Sequence, residues 1–132
     1  HLTDYDGDVL RILNKNTSNV GQGNVSCGNL DWFEEDTDKV GSFDVIIGAE
    51  VLYTPNHKIL ADVIFNHLKT HGKAIIVNMK RPGFDDFVHR SKELGLKVNV
   101  KMVEEGVVEE ARRMKGRDMV EGIFWIILLE RV

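Results

Sequence analysis

Between Phe43 and Met79 the chain carries two short β-branched runs, Val45-Ile46-Ile47 and Ala74-Ile75-Ile76-Val77, on either side of an amphipathic stretch. Apolar runs without polar alternation mark strands buried on both faces, the pattern of a parallel sheet. The stretch between them sets Ile59, Leu60, Val63, Ile64, Phe65 and Leu68 on one broad helical face. Thr54 followed by Pro55 suits the start of that helix. Lys69 and His71 suit its negative C-terminal end, and Gly72 suits a left-handed stop. A strand–helix–strand succession of this length is the crossover that joins parallel strands, and it restricts the chain to α/β architectures.

The flanking segments extend the same alternation. Leu2-Thr3 reads as part of a strand, and the opening His1 rather than methionine suggests a native N-terminal portion upstream. Asp4, Asp6, Gly7 and Asp8 are helix-starting chemistry, and Val9, Ile12, Leu13 and Asn16 follow at helical spacing, so a helix over about Gly7 to Thr17 is expected. Thr17 to Asn24 reads as a turn-rich loop that includes Gly21-Gln22-Gly23, Val25 to Trp32 as a strand, and Phe33 to Gly41 as an acidic loop. Further on, Phe84, Phe87, Val88 and Leu94 line a helix stopped by Gly95. Leu96, Val98, Val100 and Met102 alternate with Lys97, Asn99 and Lys101, the mark of a strand near an edge with one solvated face. Val107 to Lys115 forms a short helix and Ile123 to Glu130 a last hydrophobic strand. The order predicts a single α/β domain over residues 1–132: a three-layer Rossmann-like sandwich whose sheet is mostly parallel.

Composition narrows the function classes. With 132 residues, 42% hydrophobic and 29% charged, the chain is globular rather than disordered. Its longest apolar run, Ile123 to Leu129, falls far short of the roughly 18 residues of a membrane span. A net charge of -4 offers no basic field for nucleic acid. The single Cys27 cannot form an internal disulfide, which fits a reducing, cytoplasmic compartment. His67 and His71 have metal-pair spacing but no evident third ligand, so no metal is expected. Arg112-Arg113, Lys115 and Arg117 read as a solvated basic face, and Glu34-Glu35-Asp36-Asp38 as a solvated acidic loop that could also attract a basic peptide.

Ligands of open α/β sheets bind beyond the carboxyl ends of the strands. Three such ends here carry polar or aromatic groups: Asp4 with Tyr5, Asp31 with Trp32, and Ala49-Glu50 with Tyr53. A carboxylate at a strand end can accept both hydroxyls of a ribose, and an indole offers a flat face to an adenine. Each also has a plain structural reading: Asp4 as a helix cap, Trp32 as loop packing, Glu50 as a solvated carboxylate and Tyr53 as closure of the helix start.

The segments Leu2-Thr3-Asp4-Tyr5, Leu30-Asp31-Trp32 and Phe43-Asp44-Val45-Ile46-Ile47-Gly48-Ala49-Glu50-Val51-Leu52-Tyr53 occur together in one order. In that order and spacing the chain resembles the seven-β-strand S-adenosylmethionine-dependent methyltransferases, in particular methyltransferase family 16, which holds many protein-lysine methyltransferases. Lys73 to Leu94, with Arg81-Pro82-Gly83, is similar to that family's fifth strand and following helix. The resemblance implies an antiparallel last strand, S-adenosylmethionine as cofactor, and a protein side chain, lysine foremost, as methyl acceptor. It implies that Asp4 holds the ribose hydroxyls with Tyr5 adjacent, that Trp32 lies against the adenine beside Asp31, and that Ala49 touches the cofactor through its backbone. Glu50 and Tyr53 match an Asp-x-x-Tyr motif beside the acceptor, with glutamate in place of the usual aspartate.

The family's Gly-rich loop after its first strand has no counterpart here. The family's sheet order, 3-2-1-4-5-7-6, would leave a place open between the first and third strands of this chain. A truncated enzyme is the expectation. The alternative is a non-catalytic relative of the fold that serves as a protein-interaction module.

Overall fold

The structure is a computed structural model that describes residues 1–19, 24–34, 40–53, 57–115 and 123–132. The chain resolves into two compact units, His1–Gly41 and Ser42–Val132. The element order is β-α-β-β-α-β-α-β-α-β, as the pattern of the sequence predicts.

In the first unit β1 (Leu2–Asp4) pairs in parallel with β2 (Cys27–Asn29), Leu2 opposite Cys27 and Asp4 opposite Asn29. The second strand is thus shorter than the expected Val25 to Trp32. Helix α1 (Gly7–Asn19) packs on both strands. Asp6 rather than Asp4 caps it: Oδ1 of Asp6 accepts the amide N–H groups of Asp8 at 2.7 Å and Val9 at 3.3 Å. The helix continues past Thr17, where the hydroxyls of Thr17 and Ser18 donate back to the Asn14 carbonyl. Gly21-Gln22-Gly23 and most of the acidic stretch, Glu35 to Asp38, lie outside the described residues.

The second unit holds β3 (Phe43–Ala49), α2 (His57–His67), β4 (Leu68–Met79), α3 (Phe84–Glu93), β5 (Leu96–Met102), α4 (Glu105–Lys115) and β6 (Phe124–Arg131). Its sheet has the order β3-β4-β6-β5. Since β3 is parallel to β4 while β6 is antiparallel to both β4 and β5, three strands run one way and the last strand runs against them. β5 closes the sheet at one end, as its alternation predicts, and β3 closes it at the other.

Helices α2 and α3 pack against each other and onto one face of this sheet. Leu60, Ala61, Ile64, Phe84 and Phe87 are buried there together with Ala74, Ile76, Ile127 and Leu129. Across the helix pair, Asp62 accepts hydrogen bonds from Nε of Arg90 at 3.1 Å and Nη2 at 2.7 Å. Asp62 first, and Glu93 next, hold the Arg90 guanidinium above the ordinary arginine range.

Three expectations change. β3 is not buried on both faces: Val45 is 55% and Ile47 74% exposed, because they stand with Lys73 and Ile75 on the face turned away from the buried Ala74 and Ile76, with which Ile46 and Gly48 are in register. Helix α2 stops at His67, and the left-handed residue is His71 (φ 64°), not Gly72. Gly72 is required for a different reason, since a Cβ there would stand 2.8 Å from the Lys69 carbonyl oxygen. The cation at the C-terminal end of α2 is not local either. Arg131 of β6 donates to the carbonyls of Phe65 at 2.8 Å and Leu68 at 2.6 Å, its guanidinium 4.2 Å from the Phe65 ring centre. Lys69 instead pairs with Asp44 at 3.0 Å. The Thr54-Pro55 start lies outside the described residues. No helix among the described residues is long and apolar enough to cross a membrane.

Candidate active site

In the first unit the residues singled out from the sequence gather at the carboxyl ends of β1 and β2. Asp4 is half-buried; its Oδ1 accepts the Asp6 amide at 2.9 Å, and its carbonyl accepts the Leu30 amide at 3.1 Å. This Asx turn fixes the carboxylate while leaving Oδ2 without a partner among the described residues. Tyr5 is 61% exposed, and its carbonyl accepts the Asn29 side-chain amide at 3.1 Å. Asp31 forms a second Asx turn, its Oδ1 accepting the Phe33 amide at 2.9 Å, and so presents Trp32, which is half-buried, just past β2. Asn29 was not picked out by the sequence reading, although an asparagine at a strand end is a turn-forming signal.

In the second unit the segment after β3 is built against the end of β4. Glu50 has a positive φ of 52°, a region that non-glycine residues seldom occupy. Its amide donates to the Val77 carbonyl at 2.8 Å. Both carboxylate oxygens are engaged: Oε1 accepts the Met79 amide at 2.7 Å and Oε2 accepts Nη2 of Arg81 at 2.7 Å. Ala49, the last residue of β3, stands opposite Val77 and is exposed.

Asn78 completes the arrangement. It is fully buried after the apolar run Ala74–Val77 of β4, where its Oδ1 accepts the Leu52 amide at 2.9 Å and its Nδ2 donates to the Met79 carbonyl at 3.0 Å. A buried amide with both ends satisfied specifies one conformation of the turn it holds. The polar residue inside Lys73-Ala-Ile-Ile-Val-Asn-Met79 was the available signal for it.

Beside this turn lies a cavity of about 610 Å³ walled by Leu52, Tyr53, His57 and the segment Met79 to Pro82. Tyr53 is 54% exposed. His57 is only 4% exposed, and its Nε2 stands 2.7 Å from the Pro82 carbonyl oxygen. Its ring presses on Gly83, which has a φ of 90°, and a Cβ on that glycine would overlap the ring. Gly83→Ala is therefore expected to cost about 1–2 kcal/mol in backbone strain alone and to displace His57. Thermal melting should show the loss. An unchanged melting temperature would show that the turn relaxes freely and that the ring does not clamp it.

His67 and His71 are not a metal pair on one helical face, since His71 lies beyond the end of α2. No group of three or more metal-binding side chains forms among the described residues. Of the basic cluster, Arg113 pairs with Glu110 at 3.4 Å; Arg117 lies outside the described residues.

A family model described as lysine methyltransferase matches residues 1–93. Among solved structures, a precorrin-6y C5,15-methyltransferase from Geobacter metallireducens is 16% identical with a TM-score of 0.67, the match covering 98% of this chain and 65% of that one. A TehB-like SAM-dependent methyltransferase from Corynebacterium glutamicum is 15% identical at TM-score 0.65, covering 98% and 66%. The Haemonchus contortus phosphoethanolamine N-methyltransferase 1, solved with phosphoethanolamine and S-adenosylhomocysteine, is 16% identical at TM-score 0.68, covering 97% and 30%. These likenesses establish a Rossmann-like α/β methyltransferase fold. The chain spans between 60% and 65% of the length of the first three structures it matches. No curated protein sequence matches it.

Proposed function

Because the chain belongs to the lysine methyltransferase family, we propose that it transfers a methyl group from S-adenosylmethionine to a protein side chain, with lysine as the acceptor. S-adenosylmethionine is the cofactor of this enzyme class, and one structural neighbour is solved with S-adenosylhomocysteine. When bound, it supplies a methyl group on a positively charged sulfur. Direct transfer to a nucleophile requires alignment and exclusion of water more than strong acid–base groups. Consistent with that demand, the polar residues found here serve to hold backbone and side chains in place.

The observation that carries the cofactor reading is the Asp4 carboxylate. One oxygen is tied into its own turn and the other is open, at the carboxyl end of a parallel strand pair. A fixed carboxylate with a free oxygen fits a ribose hydroxyl. In this reading Tyr5, Asp31 and Trp32 flank the nucleoside, and Ala49 approaches the cofactor with its backbone. Glu50 holds the acceptor-side turn and Arg81 in position, and Tyr53 lines the acceptor's place. The structural neighbours include methyltransferases named for small-molecule acceptors, so the acceptor rests on the family alone. A cytoplasmic location accords with the single half-buried Cys27.

Calorimetric titration with S-adenosylhomocysteine tests the assignment. Asp4→Ala is expected to weaken binding by about tenfold or more, the loss of a charged hydrogen bond. Asp4→Asn keeps the acceptor for the Asp6 amide and should fold normally while still binding more weakly. Equal affinity of all three proteins would remove Asp4 from the cofactor site. Absence of binding by the unsubstituted protein would leave the interaction-module reading in front.

A further inference from the structure

We infer that Asn78 is a positioning residue for the methyl acceptor: its buried side-chain amide ties together two walls of the cavity beside Tyr53. This role rests on the acceptor reading of Tyr53 given above. Leu52, in the turn after β3, and Met79, the last residue of β4, both line that cavity. Oδ1 of Asn78 accepts the Leu52 amide at 2.9 Å, and Nδ2 donates to the Met79 carbonyl at 3.0 Å. Asn78 itself has no exposed surface, so it reaches no substrate and acts only through these two neighbours.

The tie runs in both directions. From the turn, Oε1 of Glu50 accepts the Met79 amide at 2.7 Å, and the Glu50 amide donates to the Val77 carbonyl at 2.8 Å. Residues 50 to 52 are thereby fixed on residues 77 to 79. Leu52 is fully buried, so Tyr53, which is 54% exposed, follows directly from an anchored residue. The chemistry of position 78 also sets it apart. Ala74 and Ile76 precede it on the buried face of β4, and both are apolar. An amide there carries a desolvation cost that an aliphatic side chain avoids, and only its hydrogen bonds offset that cost. Asparagine presents an acceptor and a donor on one short planar group. A leucine presents neither, and an ionised aspartate presents no donor. Direct methyl transfer needs the nucleophile in line with the carbon and sulfur, and shifts of about 1 Å are enough to slow it. By holding the Tyr53 side of the cavity at one spacing from Met79, Asn78 keeps the acceptor's place in alignment.

Asn78→Leu removes both hydrogen bonds at similar volume. Assayed well below its melting temperature, it is expected to methylate a lysine peptide with kcat lowered about tenfold or more and S-adenosylhomocysteine affinity unchanged. A purely structural asparagine would instead give a lower melting temperature with the kcat of the folded protein intact, and that result would overturn the proposal. Tyr5 and Tyr53 are the two tyrosines of the chain. With 3-fluorotyrosine incorporated, the ¹⁹F resonance of Tyr53, assigned through Tyr53→Phe, is expected to move in Asn78→Leu while that of Tyr5 stays. An unmoved Tyr53 resonance would overturn the proposal too. Should Asn78→Leu fail to fold, hydrogen exchange in the unsubstituted protein decides: the Leu52 amide is expected to be among the slowly exchanging groups, and fast exchange would show that the tie is not held. If no lysine peptide is methylated by the unsubstituted protein and the Tyr53 resonance still moves in Asn78→Leu, the lysine reading fails while the tie between the two walls stands.

Discussion

Replacing Glu50 by alanine is expected to lower kcat/KM for methyl transfer by about a hundredfold, with little change in affinity for S-adenosylhomocysteine. The carboxylate joins three parts of the turn after β3. It receives the Met79 amide, pairs with Arg81 and belongs to a turn whose amide is tied to Val77. Removing it frees the Arg81 side chain and leaves the Met79 N–H without its acceptor. Displacements of about 1 Å in a positioning shell are enough for a loss of that size. Glu50→Gly separates the contributions, since glycine adopts the φ of 52° without strain but supplies no carboxylate. Both variants should lose activity to a similar degree in an assay of labelled methyl incorporation. Wild-type rates in Glu50→Gly would show that backbone geometry, and not the carboxylate, is what the turn supplies.

Phe87→Ala should produce the largest loss of stability, about 3–5 kcal/mol. The ring is completely buried, on the face of α3 that meets α2 and the sheet, beside the equally buried Ser91, whose hydroxyl donates to the Phe87 carbonyl at 2.8 Å. Against a total of about 5–15 kcal/mol for a domain of this kind, the substitution removes a large share of the margin. Urea unfolding followed by circular dichroism measures it. A change below about 1 kcal/mol would mean that α3 is not packed on the sheet as described.

Much of the second unit was legible from local pattern. Alternation along Leu96 to Met102 identified an edge strand, and β5 is one. Gly95 after a helical run identified a helix stop, and the structure gives it a left-handed φ of 86°. The acidic cluster after Thr3 identified a helix start, although the capping residue is Asp6 and not Asp4. That Asp4 and Glu50 stand at strand ends was legible as well, whereas Trp32, expected to end its strand, lies past β2. What each carboxylate does was not legible. Asp4 and Asp31 spend one oxygen on their own turns, while Glu50 spends both on β4 and the segment after it.

The sequence by itself determined the order of the ten elements, the direction of the crossover and the polar strand ends, because periodicity and turn chemistry act within a window of a few residues. Tertiary structure alone decided which groups meet. Arg131 reaches the end of α2 from 66 residues beyond Phe65, a role the local cations Lys69 and His71 do not fill. Asn78 of β4 and Glu50 after β3 secure one turn, and His57 turns one nitrogen to Pro82 and leaves the other without a partner among the described residues. These contacts depend on the register between strands and on the docking of helices. No short stretch of sequence encodes that register, since it is set by the fit of side chains that are distant along the chain.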